Sequence, residues 1–208
     1  MRIIAGTYGS RRLDAPPGLN TRPSSDRLRE TLFNVLAPRM RGAAFLDLYA
    51  GSGAVGLEAL SRGAARVTFV ERAPVALKVL RRNLEQLGIE SGFDVRAESV
   101  AAFLRSAAKA SSKPGPHEAA KPGRYEVVFL DPPYDAAVEY AATLGLLGNA
   151  PGILAPGARV IAEHRRKQSL EDRYGSLKRV RLLEQGDATL SFYETASTPP
   201  EVSTASPV

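Results

Sequence analysis

The chain has 208 residues, 44% of them hydrophobic, enough for one cored domain with a small extension. It has no cysteine, which excludes disulfides and thiolate metal sites and fits a cytoplasmic protein. Its two histidines, His117 and His164, lie far apart, so no metal is expected. A net charge of +6 favours a polyanionic partner, and no apolar run approaches the roughly 20 residues of a membrane span, so no membrane is expected.

The opening residues MRIIAG lack the apolar core and cleavage site of a signal peptide. Arg2-Ile3-Ile4-Ala5-Gly6 predicts a brief strand, Tyr8-Gly9-Ser10 a turn and Arg11-Arg12-Leu13 a returning strand. A two-stranded piece is marginal alone, so it must pack on the main domain or on a ligand. Residues 1–41 carry Arg2, Arg11, Arg12, Arg22, Arg27, Arg29, Arg39 and Arg41 against Asp14, Asp26 and Glu30. Residues 1–22 therefore read as a basic β-hairpin arm. Arg2, Arg11, Arg12, Arg22 and Arg27 are its candidate nucleic-acid contacts; the plainer alternative is a solvated hairpin.

Residues 23–195 read as the main domain. Ser24 or Ser25 suits a helix N-cap and Asp26 its first turn. Leu28, Leu32, Val35 and Leu36 then mark one apolar face, and Pro38 is expected to end the helix. Arg27, Arg29, Glu30 and Asn34 lie off that face, where they could reach substrate or cofactor, with a solvated face as the default expectation. Phe45, Leu46 and Leu48 predict a buried strand. It runs into Gly51-Ser52-Gly53 and a helix from Ala54 to Leu60. Glycines at such a turn permit positive φ and close ligand approach, and the helix N-terminus offers unpaired N–H groups. Gly51, Gly53 and Gly56 fit G-x-G-x-x-G. Glu71 ends the next strand, Arg66–Glu71, where an acid can accept ribose hydroxyls. A tight strand-to-helix turn in an ordinary α/β domain would read the same way.

Pro74 suits the first position of the next helix, which buries Leu77, Leu80, Leu84 and Leu87, exposes Lys78, Arg81 and Arg82, and stops at Gly88. Phe93–Arg96 is a short strand followed by Glu98-Ser99 and a helix from Val100. Residues 106–124 read as a flexible insertion holding His117. Tyr125–Leu130 is the cleanest strand and runs into Asp131-Pro132-Pro133-Tyr134. A helix at about 135–148 and a strand at Ala158–Glu163 follow. Lys178–Leu183 and Thr189–Tyr193 form a hairpin about Gln185-Gly186-Asp187, and residues 196–208 read as a disordered tail. The fold class is α/β, a Rossmann-like sheet with helices on both faces.

Asp131-Pro132-Pro133-Tyr134 is a stiff turn that presents acceptors and an aromatic ring. The Asp131 carboxylate and the Pro132 carbonyl can hold both hydrogens of an exocyclic amine, while Tyr134 stacks on the base. Asp131 either takes the leaving proton or only accepts a hydrogen bond. A rigid structural turn is the bland alternative.

D-P-P-Y about 80 residues after D-x-x-x-G-x-G resembles the amino-methyltransferases that use S-adenosylmethionine. More narrowly, the chain resembles the bacterial 16S ribosomal RNA guanine-N2 methyltransferase family (RsmD-like). The matching stretches are Arg2–Gly6, Arg22–Asn34, Asp47–Gly63 and Asp131–Tyr134, within a likeness covering about residues 1–194. The resemblance implies a class I methyltransferase sheet of seven strands with the last antiparallel. It also implies S-adenosyl-L-methionine as cofactor and a guanine of 16S rRNA, within an assembling small subunit, as substrate. Asp47 and the Gly51–Gly53 loop, Ser52 included, would hold the methionine end of the cofactor, with Tyr49 among the cofactor-binding residues. Glu71 would bind the ribose. Ser99 stands where such families often place Asp or Asn near the adenine amine, and Glu98 could substitute. Asp131, Pro132, Pro133 and Tyr134 would form the catalytic turn, and the arm arginines would meet RNA. The target base must be unpaired or flipped out. A monomer is expected. Competing readings are an adenine-N6 methyltransferase on DNA or RNA, a nicotinamide-dependent oxidoreductase built on the glycine pattern, and a non-catalytic RNA-binding protein.

Overall fold

The computed structural model describes residues 1–16, 26–111, 124–133, 137–150 and 152–195. Strand β1 (Ala44–Leu48) lies between β2 (Arg66–Val70) and β4 (Tyr125–Leu130), parallel to both. Phe45, Leu46 and Leu48 are all fully buried, because a central parallel strand is covered on both faces and has no reason to alternate. β3 (Phe93–Arg96) extends the sheet beyond β2, and β5 (Leu154–Arg165) extends it beyond β4. The chain then returns: β7 (Leu177–Gln185) and β8 (Ala188–Thr195) form a hairpin whose second strand pairs antiparallel with β5. A two-residue strand, β6 (Arg173–Tyr174), edges β7, and the order is β3-β2-β1-β4-β5-β8-β7-β6.

Helices α1 (Asp26–Met40), α2 (Ala54–Ser61) and α3 (Pro74–Leu87) cover one face. Helices α4 (Val100–Ser111) and α5 (Ala137–Asn149) cover the other. Leu77, Leu80, Leu84 and Leu87 of α3 are buried, Pro74 opens that helix, and Gly88 closes it in the left-handed region at φ 69°. Among the described residues no helix is long and apolar enough to cross a membrane.

Several expectations need correction. The sheet has eight strands, not seven, because Arg173 and Tyr174 pair with Lys178 and Leu177; two residues are too few to carry a readable alternation. Pro38 sits inside α1. It removes one hydrogen bond from the last turn, yet the helix continues until Met40 is buried in the core. α4 runs through Ser111, so the first residues of the expected insertion are helical; residues 112–123, with His117, lie outside the described residues. β5 begins at Leu154, before the expected Ala158. The tail from residue 196, and Ser24 and Ser25 as caps, also lie outside the described residues.

Arg29 is the clearest correction. It is not solvated but 1% exposed. Its guanidinium binds the Arg2 carbonyl and Asp26 (3.1 Å), with Glu58 at 3.8 Å, and burial lowers its pKa. Glu58, fully buried on α2, accepts the amides of Ile4 (2.7 Å) and Ala5 (3.1 Å) and pairs with Arg62 (2.7 Å). Ser61 adds bonds to Thr7, Tyr8 and Ala5. At Gly6, with φ +87°, a Cβ would stand 1.9 Å from the Ser61 carbonyl, so only glycine allows this approach. The N-terminal hairpin, bridged at Arg2 and Arg12, is thereby seated on α1 and α2.

Candidate active site

The sheet order runs outward in opposite directions from β1 and β4, which makes the carboxyl ends of these two strands a topological switch point. In open α/β sheets that crevice is where ligands bind. Leu48 pairs with Leu130, so Tyr49 and Asp131 leave the sheet side by side.

The loop after β1 is shaped from several directions. Gly53 caps α2 at φ 81°, and a Cβ there would lie 2.2 Å from Leu80. A Cβ on Gly56 would lie 2.3 Å from the Phe69 ring, so glycine lets α2 rest on β2. α2 has no cap from its own N-cap side chain. Asp47, from β1, supplies one by accepting the Gly56 amide on Oδ2 at 2.9 Å. Burial pushes the Asp47 carboxyl up to about 7; the Gly56 bond opposes the shift and Glu71 adds to it. Glu71 accepts the amides of Gly51 (2.9 Å), Arg72 (2.8 Å) and Ala73 (2.7 Å), which orients a half-buried carboxylate beside the loop. Asn83 of α3 donates to the Ser52 carbonyl at 2.9 Å.

Tyr49 takes a left-handed backbone at φ 61°, a strained conformation for a residue with a side chain. Its hydroxyl lies 2.6 Å from Glu139 and 2.7 Å from the Thr143 hydroxyl, both on α5. Burial and the Glu139 bond raise its pKa.

Asp131 begins the turn after β4. Burial raises its carboxyl well above the ordinary carboxylate range, and the charges of Glu163 and Asp47 raise it further. Pro132 is buried behind it and Pro133 is exposed. Tyr134 lies outside the described residues. At the end of β3 the expected adenine contacts have other partners. Ser99 Oγ accepts the Ala102 amide at 3.2 Å as the N-cap of α4, and Glu98 pairs with Arg96 at 3.1 Å.

The structure thus gathers Asp47, Tyr49, Gly51, Ser52, Gly53, Glu71, Asp131, Pro132 and Pro133 around one crevice. Arg11 of the arm is engaged elsewhere. Arg11 donates to the carbonyls of Gln86 (2.6 Å) and Leu87 (3.3 Å), neutralising the C-terminal end of α3. That helix has 14 residues. Its two ends are therefore about 20 Å apart, and Glu71 adjoins the other one. Arg2, Arg12 and Arg27 are exposed, and Arg22 lies outside the described residues.

Asn83 and Glu163 are missing from the sequence-based set. Asn83 is fully buried and also exchanges bonds with the Asp14 main chain at 2.8 and 3.1 Å, tying the end of the hairpin to the glycine loop. Its signal was a polar residue on the leucine stripe of α3. Glu163, 2% exposed on β5, had a parallel signal, an acid at the carboxyl end of an apolar strand.

A family model described as conserved hypothetical protein 95 matches residues 1–194. The chain is 32% identical over 194 residues to "Putative rRNA methyltransferase YlbH" of Bacillus subtilis, covering 93% of this chain and 98% of that one. It is 40% identical over 134 residues to "Ribosomal RNA small subunit methyltransferase D" of Escherichia coli, covering 64% of this chain and 60% of that protein. Among solved structures, "Putative methyltransferase yhhF from Escherichia coli" superposes with a TM-score of 0.77 at 32% identity, covering 94% of this chain and 97% of that one.

Proposed function

The chain belongs to the family described as conserved hypothetical protein 95, and from that premise we propose that it transfers a methyl group from S-adenosylmethionine to the exocyclic N2 amine of a guanine in small-subunit ribosomal RNA. The observation that carries this reading is the adjacency of two features. The glycine loop after β1 and the Asp131-Pro132 acceptors after β4 leave paired strands side by side.

The residues fit the cofactor. Glu71 is held by three amides and keeps capacity for a ribose hydroxyl donor, since an ionised carboxylate offers about four lone-pair sites. At Gly51 a Cβ would meet only the Tyr49 carbonyl oxygen, at 4.0 Å, so a ligand can approach its backbone. Asp47 organises the loop by accepting the Gly56 amide. When bound, S-adenosylmethionine supplies an electrophilic methyl on a sulfonium that leaves as a neutral thioether.

The protein's own residues supply acceptors. The Asp131 carboxylate and the Pro132 carbonyl hold the two N2 hydrogens, which fixes the amine and favours a more nucleophilic nitrogen. Asp131 would take the proton that the N2 amine gives up on methylation. Burial raises its pKa, which makes it a stronger proton acceptor than an ordinary carboxylate. The relatives' names support ribosomal RNA as substrate. The reading extends to RNA within an assembling subunit, met by a cytoplasmic monomer.

The test is transfer of labelled methyl to small-subunit particles from a strain lacking the gene. Asp131→Ala is expected to lose transfer by at least ~100-fold while binding S-adenosylhomocysteine within a few-fold of wild type. Loss of cofactor affinity instead would contradict the role given to Asp131. The wild-type rate is expected to rise with pH as Asp131 ionises; a flat profile would leave it an acceptor only.

A further inference from the structure

We propose that Glu139 and Thr143 are positioning residues that act through Tyr49, holding the cofactor loop in place against the acceptor turn. The inference rests on the methyltransferase reading of this crevice. Three observations converge on Tyr49. It is the first residue beyond β1, so its backbone directs the glycine loop. It is held at φ 61°, where a side-chain-bearing residue stays only if its surroundings compel it. Its hydroxyl reaches across to α5, the helix that follows Asp131-Pro132-Pro133, and meets Glu139 at 2.6 Å and Thr143 at 2.7 Å.

The direction of this network follows from counting protons. A tyrosine hydroxyl has one hydrogen, and the Glu139 carboxylate can only accept, so Tyr49 donates to Glu139. Thr143 must then donate to the Tyr49 oxygen. The chain Thr143 to Tyr49 to Glu139 is polarised one way, with Thr143 buried and Glu139 half-buried. Its two ends belong to one rigid helix, residues 139 and 143 lying one turn apart on the same face. The loop beside the methyl donor and the helix behind the amine acceptor are thus tied by side chains beyond the point where the β1–β4 ladder stops. Reaction geometry is steep in distance, and a displacement near 1 Å can cost about 100-fold. Glu71, Asn83 and Asp47 secure the same loop from the other side, so cofactor affinity survives without the Tyr49 link.

The experiment measures kcat and KM for methyl transfer to small-subunit particles, together with S-adenosylhomocysteine affinity by calorimetry. Tyr49→Phe and Thr143→Val are each expected to lower kcat roughly 10-fold, with the calorimetric Kd within about 3-fold of wild type. Thr143→Ser and Glu139→Gln keep a donor and an acceptor, and are expected to recover most of the rate. The Tyr49→Phe/Thr143→Val double variant is expected to be no slower than either single one, because both cut the same chain. Unchanged kcat in both single variants, or a loss of cofactor affinity that accounts for the whole effect, would overturn the proposal. Wild-type protein that transfers no methyl would overturn the reading of the site, and this inference with it.

Discussion

At the residue scale, the acids of the crevice differ in how plainly the chain announces them. Glu71 is legible from its spacing after the glycines, because a strand-end acid in that place has a defined geometric task. The motif singles out Asp47 but not its part as the cap of α2, since its bond to Gly56 crosses from strand to helix. Arg29 and Asn83 were hidden for a simpler reason: residue type argues for solvent, and the partners that make burial tolerable, Arg2, Asp26 and Glu58 for one, Asp14 and Ser52 for the other, are brought up by the fold. Asp47 carries a pH prediction. The folded protein holds its proton more tightly than the unfolded chain, with a pKa of about 7 against 3.8. Its contribution is therefore fully present below 3.8 and is lost as pH rises through about 7. Asp47→Asn keeps an acceptor for Gly56 and removes the titration. Urea unfolding should find it similar to wild type at acidic pH and more stable above neutrality, by at most about 4 kcal/mol. A gain independent of pH would mean that Asp47 is not titrating in this range.

At the scale of elements, the parallel strands and α3 were readable because apolar runs, Pro74 and Gly88 all agree with the structure adopted. The misreadings fall where tertiary contacts decide. Met40 draws α1 past Pro38, and two residues become β6 only because β7 offers them a ladder. The seating of the hairpin is the largest such case. The sequence predicts two strands where the structure has one bridge, Arg2 to Arg12, and what seats the segment is a buried carboxylate. Glu58→Ala would leave the amides of Ile4 and Ala5 without an acceptor, Arg62 without its 2.7 Å partner, and buried Arg29 with Asp26 but not Glu58. The expected cost is about 3–5 kcal/mol, the range for breaking a buried pair by removing one partner. Hydrogen exchange at Ile4 and Ala5 should accelerate together with that loss. Protected amides in the variant would place the anchor of the hairpin elsewhere.

For the whole molecule, a net charge of +6 argued for a polyanion without saying where it binds. The arm drew attention because arginines crowd the first 41 residues, yet they have divided roles. Arg11 closes the carbonyl end of α3, Arg29 is buried, and Arg12 and Arg27 stand exposed. Arg12→Ala and Arg27→Ala should each flatten the dependence of log K for RNA on log salt by about 0.7–0.9 if the residue meets a phosphate. Arg11→Ala should leave that slope unchanged and instead lower thermal stability, by about 0.3–1 kcal/mol. Equal slope changes in all three would mean that Arg11 leaves α3 to meet RNA.

The most direct test of the central claim is nucleoside mass spectrometry of small-subunit RNA after incubation with the purified protein and S-adenosylmethionine. N2-methylguanosine is expected to appear with the wild type and to fall by at least ~100-fold with Asp131→Ala. N6-methyladenosine in its place would contradict the guanine assignment, and RNA that gains no methyl group would contradict the enzyme itself.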